Sequence, residues 1–160
     1  MQMRTPTGSE NLFASPNLVG LMALHEGNYA RMCRLVPHGH PRAYGGVSHV
    51  AGEPALHLSV LERCRYTTTY HLTYYFGAPG RPVDLLVPEP DMHIRVYQDA
   101  RLAEVLHCGG VDRVSMLRGY LPRTGSPTAR RWRLNLMLNR WLRYCLDVGH
   151  RFPADIAAPA

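Results

Sequence analysis

Apolar positions recur with period two through the middle of the chain, and at three- and four-residue spacing near both of its ends. In LHLSVLERCRYTTTYHLTYYF, residues 56–76, Leu56, Leu58 and Val60 alternate with His57, Ser59 and Leu61, as in a half-buried strand. Tyr and Thr dominate residues 66–76, and both suit a pleated surface. A reversal at Glu62–Tyr66 makes this stretch a hairpin. Keeping Tyr66, Thr68, Tyr70, Leu72 and Tyr74 on the face of Leu58 and Val60 requires 60 to pair with 68, 62 with 66 and 57 with 71. A one-residue slip would turn the apolar set outward. A second hairpin spans 91–108. Met92, Ile94 and Val96 alternate with His93, Arg95 and Tyr97, and a turn at Asp99–Ala100 sets Val96 against Ala103, Ile94 against Val105, and Arg95 against Glu104. An opposite-charge cross-strand pair adds only ~0.2–1 kcal/mol, so it specifies register more than it stabilises.

Ser15–Pro16 predicts a helix start, with the helix running from about 16 to Val36 and ended by Pro37. Its apolar stripe is Leu18, Leu21, Met22, His25, Tyr29, Met32 and Val36, with His25 read as a core histidine. Gly20 and Gly27 oppose it by about 1 kcal/mol each relative to alanine. Ser126 and Pro127 open the last helix, which closes at Gly149 with Pro153 beyond. There Leu134, Leu138, Trp141, Cys145 and Val148 form a stripe edged by Met137 and Tyr144, and Arg133, Arg140, Arg143 and Asp147 lie opposite. Trp132 and Leu136 fall near the polar face, where they pack on the 109–127 loop or mark a partner surface. Residues 47–51 read as a short edge strand, and 111–117 as an extra strand. Val83, Leu85, Leu86 and Val87 argue that the proline-rich connection 77–90 docks.

The predicted fold class is α+β: an N-terminal helix, an antiparallel β-meander of four to five strands and a C-terminal amphipathic helix, with both helices on one face of the sheet. A polar segment, 1–14, precedes a single domain over 15–152, and 153–160 form a tail. The first residues, MQMRTPTGSENLF, lack the apolar core of a signal peptide, and no apolar run approaches the ~20 residues that span a bilayer. The expectation is a cytoplasmic protein with no membrane partner. Cys33, Cys64, Cys108 and Cys145 are far apart and form no C-x-x-C, so they read as reduced thiols. All eighteen basic side chains are arginine. Residues 1–112 hold nine Arg against ten acids, net −1, whereas 113–151 hold nine Arg against one acid, net +8. The positive charge therefore belongs to the last third of the chain.

No phosphate-cradling, nucleophile-elbow or zinc-protease motif appears. The outward face of the sheet carries His57, His71 and His93, and three imidazoles could make an open zinc site. The order of the two hairpins is not set by the pattern, however, so neither metal nor cofactor is assigned. His38 and His40 form a second such pair, in a loop. Glu62, Arg65, Arg95, Tyr97 and Glu104 supply charge and hydroxyls, and the planar fork of an arginine orients an anionic ligand well. No nucleophile–base pair can be named. Arg118, Arg123, Arg130, Arg131, Arg133, Arg140 and Arg143 could follow a phosphate backbone, with Trp132 to stack, although a solvated basic face explains the same residues.

Several strings coincide with one family. They are Glu26, Asn28, Tyr29, Arg34, Leu35 and Pro37; Glu62-x-x-Arg65-Tyr66-Thr67-Thr68; Met92, Arg95, Tyr97, Asp99-Ala100 and Ala103-Glu104-Val105; and Trp141-Leu142-Arg143-Tyr144-Cys145-Leu146 with Gly149. Over roughly residues 20–150 the chain resembles the YqiB-like family of small bacterial proteins, a domain of unknown function. The resemblance implies a cytoplasmic protein of this size and carries no activity with it. The Arg95/Glu104 and Glu62/Arg65 residues belong to the shared pattern; His57, His71 and His93 lie outside it, and so does the Arg130–Arg131 pair.

The functional expectation is a binding or adaptor domain for a protein or a small anionic ligand. Its candidate residues are Glu26, Asn28, Glu62, Arg65, Tyr66, Thr67, Arg95, Tyr97, Asp99, Glu104 and Arg143, most of them at turns and strand ends. A second class is RNA or DNA binding through Arg130, Arg131, Arg133 and Arg140. A third is an enzyme acting on an anionic metabolite with Glu62 or Glu104 as base.

Overall fold

The computed structural model describes residues 17–37, 45–77, 80, 82, 86–109 and 126–153. Helix α1 (Leu18–Leu35) is followed by strands β1 (Gly45–Ser48), β2 (Leu56–Arg63), β3 (Thr67–Phe76), β4 (Val87–Pro88), β5 (Asp91–Tyr97) and β6 (Leu102–Gly109), then helix α2 (Pro127–Val148). The sheet is an antiparallel meander in the order β1-β2-β3-β5-β6, and the two-residue β4 pairs with the end of β3. Both helices lie on one face. Met32 and Leu35 of α1 and Leu134, Leu138 and Leu142 of α2 share one core with Leu56, Leu58, Leu72, Met92 and Ile94. The chain is α+β, as its periodicity predicts. The connection 77–90 docks through Val87 and Pro88, which continue the sheet as β4, and the edge strand sits slightly earlier than predicted. The expected strand at 111–117, the start at Ser15–Pro16 and the His38/His40 pair lie outside the described residues. No helix among the described residues is long and apolar enough to cross a membrane.

The second hairpin keeps the expected register: Arg95 opposes Glu104, Ile94 opposes Val105 and Val96 opposes Ala103. The first does not. Val60 pairs with Tyr70 rather than with Thr68, and His57 with Thr73 rather than with His71. The cause is a bulge at Leu61 and a wider reversal, closed by Arg63↔Thr68 and by the Cys64 N–H donating to Thr67 O at 2.8 Å. The apolar parity survives, because 58 still faces 72 and 56 faces 74. Beyond the bulge, parity inverts. Glu62 moves opposite Thr69 onto the open face, and Arg63 moves to the helix side. A matching bulge at Leu106 in β6 sets His107 opposite His93 and returns Cys108 to the core opposite Met92.

Both helices are rotated from their predicted stripes. The cap of α1 is Asn17, whose side chain accepts from Gly20 N at 2.7 Å. Leu18 is 73% exposed and Met22 is exposed, while Leu24, Asn28 and Leu35 are buried. In α2, Asn135, Asn139, Leu142 and Leu146 are buried, whereas Tyr144 is exposed and Trp141 and Val148 are only partly buried. Three asparagines explain the rotation. Asn28 Nδ2 donates to Asn135 O at 3.2 Å, Asn139 Nδ2 donates to Asn28 Oδ1 at 3.0 Å, and the Val105 N–H of β6 donates to Asn135 Oδ1 at 3.1 Å. A reading from apolar residues alone places such positions outside; their mutual hydrogen bonds allow them inside. Gly27 serves the same contact, since a Cβ there would crowd Asn139. Trp132 and Leu136 pack with Leu21 and Leu24 of α1 in a second apolar cluster; most of the 109–127 loop lies outside the described residues. Ser126 and Gly149 cap α2 as expected, Gly149 in the left-handed region.

Candidate functional site

Strand pairing arranges the open face of the sheet in rows. Nearest the turns, Thr67 of β3 opposes Tyr97 of β5. The next row is Glu62, Thr69, Arg95 and Glu104, one residue from each of four strands. Arg95 is aligned with Glu104 yet leans the other way: its Nε donates to Thr69 Oγ1 at 3.2 Å and its Nη2 to Glu62 Oε2 at 3.1 Å. Glu104 instead receives the Tyr97 hydroxyl at 2.7 Å. Burial, and then that bond to a carboxylate, raise the Tyr97 pKa above its ordinary value. The bulge at Leu61 makes the Glu62 contact possible.

The row beyond holds His71, His93 and His107, in register on β3, β5 and β6. His71 Nε2 lies 2.7 Å from Asp91 Oδ1, and His93 Nε2 lies 3.9 Å from the same oxygen. The His107 ring meets His93 edge-on, with centroids 5.1 Å apart. Partial burial, together with the neighbouring His71 and His107 imidazoles, lowers the His93 pKa against the opposing pull of Asp91. His57 stands on β2 opposite Thr73, with its ring on Tyr75. The expected trio of His57, His71 and His93 is thus replaced by His71, Asp91 and His93. Sequence spacing holds one cue to Asp91, two residues before His93 and so on the same face. It hides His107, which only the bulge turns outward.

On the helix side, at the turn end of the sheet, a cleft of about 260 Å³ opens between the end of α1 and the β2–β3 reversal. Met32, Val36 and Val96 belong to its apolar part and Arg63 and Arg65 to its charged part, and Cys33, Cys64 and Gln98 are also in the lining. Gln98 Nε2 donates to Thr68 Oγ1 at 3.1 Å, and its buried carbonyl oxygen has no hydrogen-bond partner. Its backbone N–H donates to Tyr66 O at 2.8 Å, which ties the two turns together. The Arg65 guanidinium lies 5.0 Å from the centre of the Tyr66 ring. Burial raises the Cys33 thiol pKa.

Of the predicted residues, Arg65, Tyr66, Thr67, Glu62, Arg95, Tyr97, Glu104 and Asp99 do gather at this end, on its two faces; Asp99 caps its own turn by accepting from Ala100 N at 2.8 Å. Asn28 does not belong to that surface, because it is locked between the helices. Glu26 is exposed on α1, outside the cleft lining, and Arg143 faces Asp147 at 3.7 Å on the exposed side of α2. Arg63, Cys33, Cys64 and Gln98 were not foreseen: parity placed Arg63 on the open face, and nothing in the pattern shows how α1 is seated. Along α2, Arg130, Arg131 and Arg140 are exposed and Arg133 is half-buried. Helical spacing sets Arg133, Arg140 and Arg143 on one side with Asp147, and Arg131 on another.

A family profile described as "Protein of unknown function (DUF1249)" matches residues 31–151. The uncharacterized protein YqiB of Escherichia coli (strain K12) is 30% identical over 135 residues, covering 84% of this chain and 92% of that protein. YqiB of the O6:H1 and O157:H7 strains of Escherichia coli is similar to the same extent. No solved structure matches.

Proposed function

We propose that this chain, which belongs to the DUF1249 family of proteins of unknown function, is a binding domain that takes a small anionic ligand in the cleft at the turn end of its sheet. The observation that carries the reading is the pairing of Arg63 and Arg65 beside an apolar pocket with a buried, unpartnered Gln98 oxygen. Two guanidiniums outweigh the roughly half negative charge at the carboxyl end of α1. Gln98 adds a polar side chain to the lining. A volume of about 260 Å³, just below the roughly 300–1,000 Å³ usual for ligand pockets, suits only a small metabolite. Neither Glu62 nor Glu104 lines the cleft, so neither is placed to act as a base on its occupant.

Native mass spectrometry of gently purified protein tests this, followed by calorimetric titration with citrate and pyrophosphate as probes. The expected result is a retained mass of metabolite size or a measurable heat with a probe, abolished in Arg65→Ala and Arg63→Ala while the thermal midpoint hardly moves. Binding that survives both changes would remove the cleft from consideration.

A further inference from the structure

We propose that the open face of the sheet holds a divalent transition-metal site, with zinc as its reference ion, built from His71 Nε2, His93 Nε2 and the Asp91 carboxylate. Three strand positions converge there for backbone reasons. His71 and His93 are direct cross-strand partners, and Asp91 precedes His93 by two residues on the same face. The donor atoms of the three lie within 4.8 Å of one another.

The distances fit an ion. With zinc bonds of about 2.0–2.2 Å, neighbouring donors of a tetrahedral site stand about 3.3–3.5 Å apart. The two separations to Asp91 Oδ1, 2.7 Å and 3.9 Å, straddle that value. A structural histidine–aspartate hydrogen bond needs one imidazole, whereas here a second Nε2 lies 3.9 Å from the same oxygen. The ion takes the place of the proton shared by His71 and Asp91. Gly109, opposite Asp91 on β6, makes room for the carboxylate, because a Cβ there would collide with Asp91 Oδ2.

Two imidazoles and one carboxylate suit zinc and its first-row neighbours rather than calcium or magnesium, which prefer oxygen alone. Three protein ligands leave the fourth position open to water or a substrate oxygen, beside the His107 ring. The site is separate from the arginine cleft, which lies on the other face of the sheet.

The test uses the full chain stripped with a chelator, titrated with zinc by calorimetry and with cobalt(II) by visible absorption. One ion per chain is expected, with the intense absorption of a four-coordinate cobalt centre. His93→Gln and Asp91→Asn should each weaken binding by about a hundredfold or more, beyond the tenfold to hundredfold typical of an outer-shell partner. The His38→Gln/His40→Gln double variant and Arg65→Ala should leave the isotherm unchanged. Circular dichroism of the metal-free variants reports folding; should Asp91→Asn fail to fold, His93→Gln carries the test from a side chain already 36% exposed. Absent binding, binding unaltered by His93→Gln, or binding lost with His38 and His40 would each overturn the proposal.

Discussion

Two polar clusters in this protein contain almost the same chemistry and do opposite things. Asn28, Asn135 and Asn139 lie buried between the helices and β6, and they bond to one another, to a helix carbonyl and to the Val105 N–H. His71, Asp91 and His93 lie part-exposed on the far face, with two imidazole nitrogens within 4 Å of one shared oxygen. A cluster whose donors and acceptors answer one another is architecture. One whose donors converge on a point still has capacity for something added. Polarity alone distinguishes neither; direction and satisfaction do.

The largest expected effect comes from breaking the closed cluster. Asn135→Ala leaves the buried Val105 N–H without its acceptor, while the Asn28 amide keeps the Asn135 backbone carbonyl, so one orphaned buried group gives a loss of about 1–3 kcal/mol. A urea titration should show it as a lower midpoint.

An intermediate effect concerns His150, fully buried against Tyr74, with Nδ1 3.0 Å from Ser48 Oγ and Nε2 without a partner. Burial lowers its pKa below the ordinary 6.5. The unfolded chain then binds the proton first, so stability is full above pH 6.5 and falls as the pH drops below it, by about 1.4 kcal/mol per unit until the folded pKa is reached. His25, His57 and His93 are shifted the same way and add to the slope. Thermal midpoints between about pH 7.5 and pH 5 should decline, and His150→Gln should make the decline shallower whatever it does to the midpoint at neutral pH.

The smallest effect sharpens the contrast from the open side. Glu62 and Arg95 form a solvent-facing ion pair, so Glu62→Ala should change stability by no more than about 1 kcal/mol. A larger loss in the same urea titration would place that row with the architecture.

Much of this was legible in the chain. The Asp99–Ala100 hairpin followed from clean alternation on both sides of a short turn, and α2 from Ser126, Pro127 and Gly149. The 56–76 hairpin was legible in parity and not in register, because period two does not show where an extra residue enters a strand. The helix faces were misjudged for a different reason. Asn28, Asn135 and Asn139 are acceptable inside only as a set, and their partners lie far along the chain or on another element. The same limit applies to the candidate sites. Arg65 and His93 were visible, whereas the seating of α1 beside Arg63 and the alignment of His107 with His93 depend on tertiary geometry.

The extra residues Leu61 and Leu106 carry a consequence for how the family can vary in length. Each sits unpaired and about half exposed between partners that are otherwise in step. Deleting either would leave Val60 inward and Glu62 outward, or Val105 inward and His107 outward, with an unbroken ladder. At these two points the strands can lose a residue without exchanging what they present to the helices and to solvent. A relative one residue shorter there would keep both faces.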